Sequence, residues 1–178
     1  EKVTSTSLSD QNNILDIGTG SGCIPITLKK HLPHATISSI DVSENAIKVA
    51  KKNAELNNVD INFMQQDILK TTALHQKFDL IVSNPPYVRE LEKEEIKNNV
   101  LENEPHLALF VEDHNPLLFY DKIADLAKEF LLENGLLFFE INQYLGKETV
   151  ELLQTKGYKN IELKKDLFGN DRMILAHK

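Results

Sequence analysis

Asn13-Ile14-Leu15-Asp16-Ile17 running straight into Gly18-Thr19-Gly20-Ser21-Gly22 is the stretch that decides the fold. A short, mostly apolar run bounded by glycine reads as a buried strand. The glycines let the backbone come close to a ligand, and the helix predicted from Cys23 to His31 turns its first N–H groups toward the same place. Pro25 is compatible with that helix because it falls in the first turn, where its missing N–H would have had no partner. Strand, glycine turn and helix together open a nucleotide-binding βαβ unit. Asp16, inside the strand, is expected to orient the glycine turn rather than touch ligand. Cys23, at the helix start, is expected to be there for its small size.

The next two strands carry the same theme. Residues Ala35–Ile40 form an apolar run ending at Asp41, about 20 residues past the glycines, where an acid accepts hydrogen bonds from ribose hydroxyls. Ser43 then caps a helix predicted to run to about Asn57. A third strand, Ile61–Gln66, ends at Asp67, where an acid can meet the exocyclic amine of adenine. The glycines at 18, 20 and 22 do not follow the dinucleotide spacing, which wants glycine where Cys23 stands. Either aspartate alone could be a cap or a turn residue. Combined with the glycine turn, they point to a nucleoside.

A second motif faces the first. Phe78–Ser83 reads as a buried fourth strand, and Asn84-Pro85-Pro86-Tyr87 follows it directly. Neither proline can donate to a sheet ladder, each fixes its own φ, and each pushes the preceding residue into an extended conformation. A Pro-Pro pair can be a simple strand stop. Here it makes a stiff corner that presents the Asn84 side chain, the Pro85 carbonyl and the Tyr87 ring. Two acceptors and one flat aromatic face suit a planar group bearing an NH2. In an open parallel sheet both motifs reach the C-terminal edge, so nucleoside and acceptor corner are expected to face each other.

Composition narrows the classes. A chain of 178 residues with 41% hydrophobic and 26% charged residues fits one soluble domain. The net charge of −7 argues against gripping nucleic acid over the whole surface. A single cysteine, Cys23, leaves no internal disulfide and suits a reducing compartment. No run approaches the roughly 20 apolar residues of a membrane span. These features read as cytoplasmic. The polar stretch 1–12 reads as a linker or truncated end, with one catalytic domain over 13–178.

The residues from Ile14 to Gly22, Asp41, Asp67 and Asn84-Pro85-Pro86-Tyr87 resemble a class I S-adenosylmethionine-dependent methyltransferase acting on a planar amide or amino nitrogen. More closely, the chain is similar to the catalytic domain of the release-factor glutamine methyltransferases. Asn103-Glu104-Pro105-His106-Leu107-Ala108-Leu109, Phe139-Glu140-Ile141 and Asp166-Leu167-Phe168-Gly169-Asn170-Asp171-Arg172 share in that likeness. The resemblance implies a doubly wound, mostly parallel seven-stranded α/β sheet, Rossmann-like, with an antiparallel edge hairpin. It implies S-adenosylmethionine as cofactor, with S-adenosylhomocysteine as product, held by Gly18, Thr19, Gly20, Ser21, Gly22, Asp41, Val42, Asp67, Ile68 and Asn84. It implies Asn84, Pro85 and Tyr87 as catalytic residues, with Pro86 and Glu104 beside them on the substrate. Its substrate would be a peptide chain release factor, with no nucleic acid, no membrane and a monomeric enzyme. The sequence departs from the family in two ways. Ile68 stands where an aromatic residue often follows the third-strand acid, and the stretch is expected to be the catalytic domain without the family's N-terminal substrate-recognition domain.

The remainder reads as follows. Residues Val88–Asn115 form a long polar insertion without a strand, and Glu90, Glu92, Glu94 and Glu95 are expected to make a solvated face. Pro116 opens a helix that Gly135 ends. Leu136–Ile141 is a fifth strand with Glu140 at its end as a satisfied polar residue, and another helix and two strands complete the sheet. The six histidines show no metal-ligand spacing and read as surface residues. An adenine amino-methyltransferase on DNA or rRNA is the alternative, because it shares the Asn-Pro-Pro-Tyr motif and would flip its base against Tyr87. An NAD(P)-dependent oxidoreductase would need the missing glycine spacing. A module that binds the nucleoside without catalysis is the third possibility.

Overall fold

A computed structural model describes residues 11–95 and 110–178. The strands β1 (Asn13–Ile17), β2 (Thr36–Asp41), β3 (Asn62–Gln65), β4 (Phe78–Ser83), β7 (Leu131–Glu140), β8 (Lys159–Lys165) and β9 (Asp171–His177) form one sheet in the order β3-β2-β1-β4-β7-β9-β8. β1 to β4 and β7 are parallel, and β9 runs antiparallel between β7 and β8. This is the Rossmann-like arrangement with an antiparallel edge pair. The strand order reverses between β1 and β4, which makes the C-terminal ends of those two strands the topological switch point.

The alternation of side chains across β1 explains why both faces need cover. Leu15 and Ile17 join Ile81, Leu137 and Ile174 in the larger core. That core includes Tyr120, Ile123 and Ala127 of α3 (Leu118–Phe130) and Leu153 of α4 (Gly146–Thr155). Ile14, Leu80 and Leu136 point the other way, to a smaller core against Leu28 of α1 (Cys23–His31). α2 (Glu44–Leu56) begins where expected, with the Ser43 hydroxyl accepting the Ala46 N–H at 3.2 Å. Among the described residues no helix is long and apolar enough to cross a membrane.

Three expectations are corrected. The helix opening after Pro116 stops at Phe130, before Gly135. The chain instead turns through Asn134, which takes the left-handed φ of 71° that a capping glycine would have taken. Gly135 is required for closeness, since a Cβ there would stand 2.9 Å from the Leu132 carbonyl oxygen. The insertion after the corner does contain strands: β5 (Val88–Arg89) and β6 (Phe110–Val111) pair in parallel and bring its ends together, and a 3-10 turn spans Glu90–Glu95. His177 is half-buried in the sheet rather than on the surface. Residues 1–10 and the stretch Asn103–Leu109, with Glu104 and His106, lie outside the described residues.

Gly22 joins the first two helices. Its φ is +85°, and a Cβ would meet Ala50 Cβ at 3.2 Å and Ile26 Cδ1 at 3.1 Å. Gly20 has a φ of +53° with open space around it. In urea unfolding, Gly20→Ala is expected to cost roughly 1–2 kcal/mol for the left-handed backbone alone. Gly22→Ala is expected to cost a further roughly 1–3 kcal/mol for crowding α2. Equal losses would mean that the α1–α2 contact does not depend on this glycine.

Candidate functional site

The register of β1 against β4 builds the site. Ile17 pairs with Ser83, so the first residue of the glycine turn and the first residue of the diproline corner leave the sheet side by side. The buried Ser83 hydroxyl donates to the Ile17 carbonyl at 2.8 Å and ties the two strand ends together. A Cβ on Gly18 would stand 3.6 Å from the Asn84 carbonyl oxygen, so the backbones are in near contact. Asn84 is exposed, Pro85 is buried, and Pro86 and Tyr87 are half-buried. Among the described residues the Asn84 side chain has no hydrogen-bond partner.

The turn itself is organised by Asp41 and not, as the sequence suggested, by Asp16. Asp41 Oδ2 accepts the Gly20 N–H at 2.9 Å and Oδ1 accepts the Ser43 N–H at 2.8 Å. The Gly18 N–H donates to the Ile40 carbonyl at 2.8 Å. Each oxygen of Asp41 keeps a lone pair for a further donor. Val42 is exposed beside it. Asp67 begins the turn after β3, where Oδ1 accepts the Leu69 N–H at 3.0 Å and Oδ2 pairs with Lys70 at 3.1 Å. The Lys70 ammonium holds its carboxyl below the usual carboxylate range. Ile68 next to it is buried.

Asp16 lies fully buried beneath the turn. Oδ2 accepts the Ser39 hydroxyl at 2.6 Å, whereas Oδ1 and the buried Thr19 Oγ1 have no hydrogen-bond partner. Thr19 draws the carboxyl's pKa down without meeting it at hydrogen-bonding geometry. Burial outweighs Ser39 and Thr19 and pushes the group up to about 6, with Asp41 adding to the rise. Two unpartnered buried polar atoms under a glycine turn are what a polar ligand or an ordered water would satisfy.

Behind the corner is a polar network that sequence reading missed. The Tyr87 hydroxyl donates to Glu140 Oε1 at 2.9 Å and receives Arg172 Nη1 at 3.4 Å. Burial and the Glu140 carboxylate push the phenol up to about 12, so it stays neutral. Glu92, expected on a solvated face, is only 5% exposed. Its carboxylate takes the Arg89 guanidinium, with Nε at 2.7 Å, and the Asn142 side chain. The signal available in the sequence was the Arg89–Glu92 pair at a spacing of three, opposite charges that the structure joins across the start of the 3-10 turn. Cys23 is exposed, 3.2 Å from the Ser21 hydroxyl. Among the described residues no group of His, Cys, Asp or Glu could hold a metal ion.

A glycine turn with a strand-end acid, set against a diproline corner at the switch point of a Rossmann-like sheet, is the architecture of a methyltransferase domain. The chain belongs to the Methyltransferase small domain family, which it matches over residues 3–109. It is 66% identical over 161 residues to the release factor glutamine methyltransferase of Flavobacterium psychrophilum, covering 90% of this chain and 56% of that protein. It is 45% identical over 170 residues to the protein of the same name from Bacteroides thetaiotaomicron, covering 95% of this chain and 61% of that one. The chain therefore spans under two thirds of the length of these relatives. The crystal structure of a methyltransferase from Pyrococcus furiosus shares the fold, with a TM-score of 0.72 and 18% identity over 98% of this chain and 78% of that one.

The buried carboxyl gives a pH signature. Asp16 rises from an ordinary 3.8 to about 6 on folding, so the folded state holds its proton more tightly. Its contribution to stability is full below the unfolded value and is lost as pH rises through the folded one. At about 1.4 kcal/mol per unit this amounts to about 3 kcal/mol. Denaturant unfolding of wild type and Asp16→Asn should show their stability difference moving against wild type by about that amount as pH rises from 3.8 to about 6. A difference that stays flat would contradict the raised carboxyl.

Proposed function

We propose that this chain is the methyl-transferring part of an enzyme that uses S-adenosylmethionine to methylate the side-chain amide nitrogen of a glutamine in a peptide chain release factor. The observation that carries the reading is the near contact of Gly18 with Asn84 at the switch point. The names of the relatives favour a glutamine amide over adenine. The chain's net charge of −7 leans the same way.

The fit of the cofactor rests on this chain's own atoms. Gly18 and Gly20 offer backbone without side-chain bulk, and Thr19 and Asp16 hold unpartnered polar atoms beneath the turn. Asp41 with Val42 would face the ribose, and Asp67 with Ile68 the adenine. When bound, S-adenosylmethionine supplies an activated methyl group on a sulfonium.

Positioning is the work left to the protein. An amide nitrogen is a poor nucleophile because its lone pair is shared with the carbonyl. Asn84 Oδ1 and the Pro85 carbonyl each accept one amide N–H and so aim the nitrogen toward the cofactor side of the crevice. Pro86 stiffens the corner. The Tyr87 hydroxyl is committed to Glu140, so its ring is what remains for the flat amide. A neutral phenol is no base, and none is needed before transfer; the extra N–H proton leaves afterwards to solvent. Glu104 is the further residue proposed to contact the substrate.

Two measurements test this. Mass spectrometry of a release factor incubated with the full-length natural protein and cofactor should show one added methyl on the glutamine of its Gly-Gly-Gln tip. Methyl appearing instead on adenine of a nucleic acid would replace the glutamine reading. Asn84→Ala should lower transfer at least ~100-fold, because orientation by paired acceptors carries several kcal/mol of the barrier. Cofactor affinity should fall far less, by about tenfold at most for the one contact that Asn84 itself would make, since the turn, Asp41 and Asp67 are untouched. Near-full turnover by this variant would remove Asn84 from the mechanism.

A further inference from the structure

The exit of the diproline corner is gripped by a side chain to which the reading above gives no role. Asn142 lies just past β7 and is 3% exposed. Its Nδ2 donates to the Tyr87 carbonyl at 2.9 Å and to Glu92 Oε2 at 2.7 Å, and its Oδ1 accepts the Tyr144 N–H at 2.9 Å. Two acceptors on one side and a backbone donor on the other fix which way the amide faces. Glu92 is held in turn by Arg89, through both the backbone N–H at 3.1 Å and the guanidinium. Two residues of the strap after the corner are thereby tied to the end of a central strand.

This tether matters because the corner cannot hold itself. Pro85 and Pro86 have no N–H, so no backbone donor stands between Asn84 and Tyr87. The direction in which Asn84 and the Pro85 carbonyl point depends on where Tyr87 is pinned. Glu140 pins its hydroxyl, and Asn142 pins its carbonyl. The hydroxyl can swing about the ring's own torsions. The carbonyl bond fixes the backbone.

We propose that Asn142 is a positioning residue for methyl transfer: by donating to the Tyr87 carbonyl it sets the angle at which Asn84 and Pro85 meet the acceptor amide, and Glu92 keeps the Asn142 amide turned the right way. The proposal rests on the reading that the corner orients a planar amide. It requires a double donor at 142. Alanine leaves the Tyr87 carbonyl and a buried carboxylate each short of a donor. Aspartate keeps the volume but sets its oxygens against a carbonyl and against Glu92, with no proton between them.

The test compares wild type, Asn142→Ala and Asn142→Asp in the full-length natural protein, measuring kcat and KM with a release factor and cofactor Kd by calorimetry. Cofactor Kd and KM should stay within about threefold, while kcat falls about 10- to 100-fold in Asn142→Ala, the loss expected from misplacing a reacting group by about an ångström. Asn142→Asp should lose at least as much despite its unchanged size. A side chain that only fills space would give the opposite order, with aspartate the milder change, and that order overturns the proposal. Unchanged kcat in either variant, or a rise in KM alone, overturns it as well. If alanine prevents cofactor binding, aspartate decides; if both do, Asn142 serves the fold and the proposal is wrong. An active wild type with unaffected variants sinks this proposal alone, whereas a wild type inert on release factor sinks the functional reading and this inference with it.

Discussion

The pairing of β1 with β4 carries the rest of the molecule. Because Ile17 lies opposite Ser83, the chain leaves the sheet at two adjacent points, once into glycines and once into prolines. Those residues suit opposite demands. A turn that must lie close to another backbone needs no side chain and a left-handed φ, as at Gly18. A corner that must hold an acceptor still needs its backbone freedom removed, as at Pro85 and Pro86. The Ser83 hydroxyl on the Ile17 carbonyl keeps the two together inside the core. A shift of one residue in this register would move the slipped strand's side chains to the other face of the sheet and part the turn from the corner.

Polar groups around that junction divide into two sets. Under the glycine turn, Asp16 and Thr19 hold atoms that the protein leaves unpartnered. Behind the corner, Glu92, Asn142, Tyr87 and Glu140 are joined by direct hydrogen bonds. A buried polar network is stabilising and specific only when its members are paired, and a half-made one is costly. The paired set therefore acts as scaffold. The unpaired set lies on the side where ligand is expected, and its raised carboxyl marks the strain of burial without full compensation.

Much of this was legible in the sequence because it was local and chemically distinctive. A short apolar run bounded by glycine, an acid at a strand end and two adjacent prolines each have few structural meanings, while the seven-stranded sheet came from the family resemblance and its strand order from the structure. Glu92 was legible only through its spacing of three from Arg89. It sits in a run of glutamates that read as one solvated face, and only the burial created by Asn142 and Arg89 sets it apart. Asn142 left no signature at all, since a lone asparagine after a strand is common and the two acceptors of its Nδ2 are 50 and 55 residues away. Asn134, not Gly135, took the left-handed position because glycine was needed next door to let the turn pack against Leu132. Asp41 was assigned to a ligand, and the structure adds that it also shapes the turn.

The central claim is that the diproline corner holds an NH2-bearing plane against the glycine turn. The most direct measurement is a crystal structure of the protein with S-adenosylhomocysteine and a peptide ending in Gly-Gly-Gln. The glutamine amide nitrogen is expected within hydrogen-bonding distance of both Asn84 Oδ1 and the Pro85 carbonyl, on the side facing Gly18. An amide bound elsewhere, with the Asn84 side chain turned out of the crevice, would contradict it.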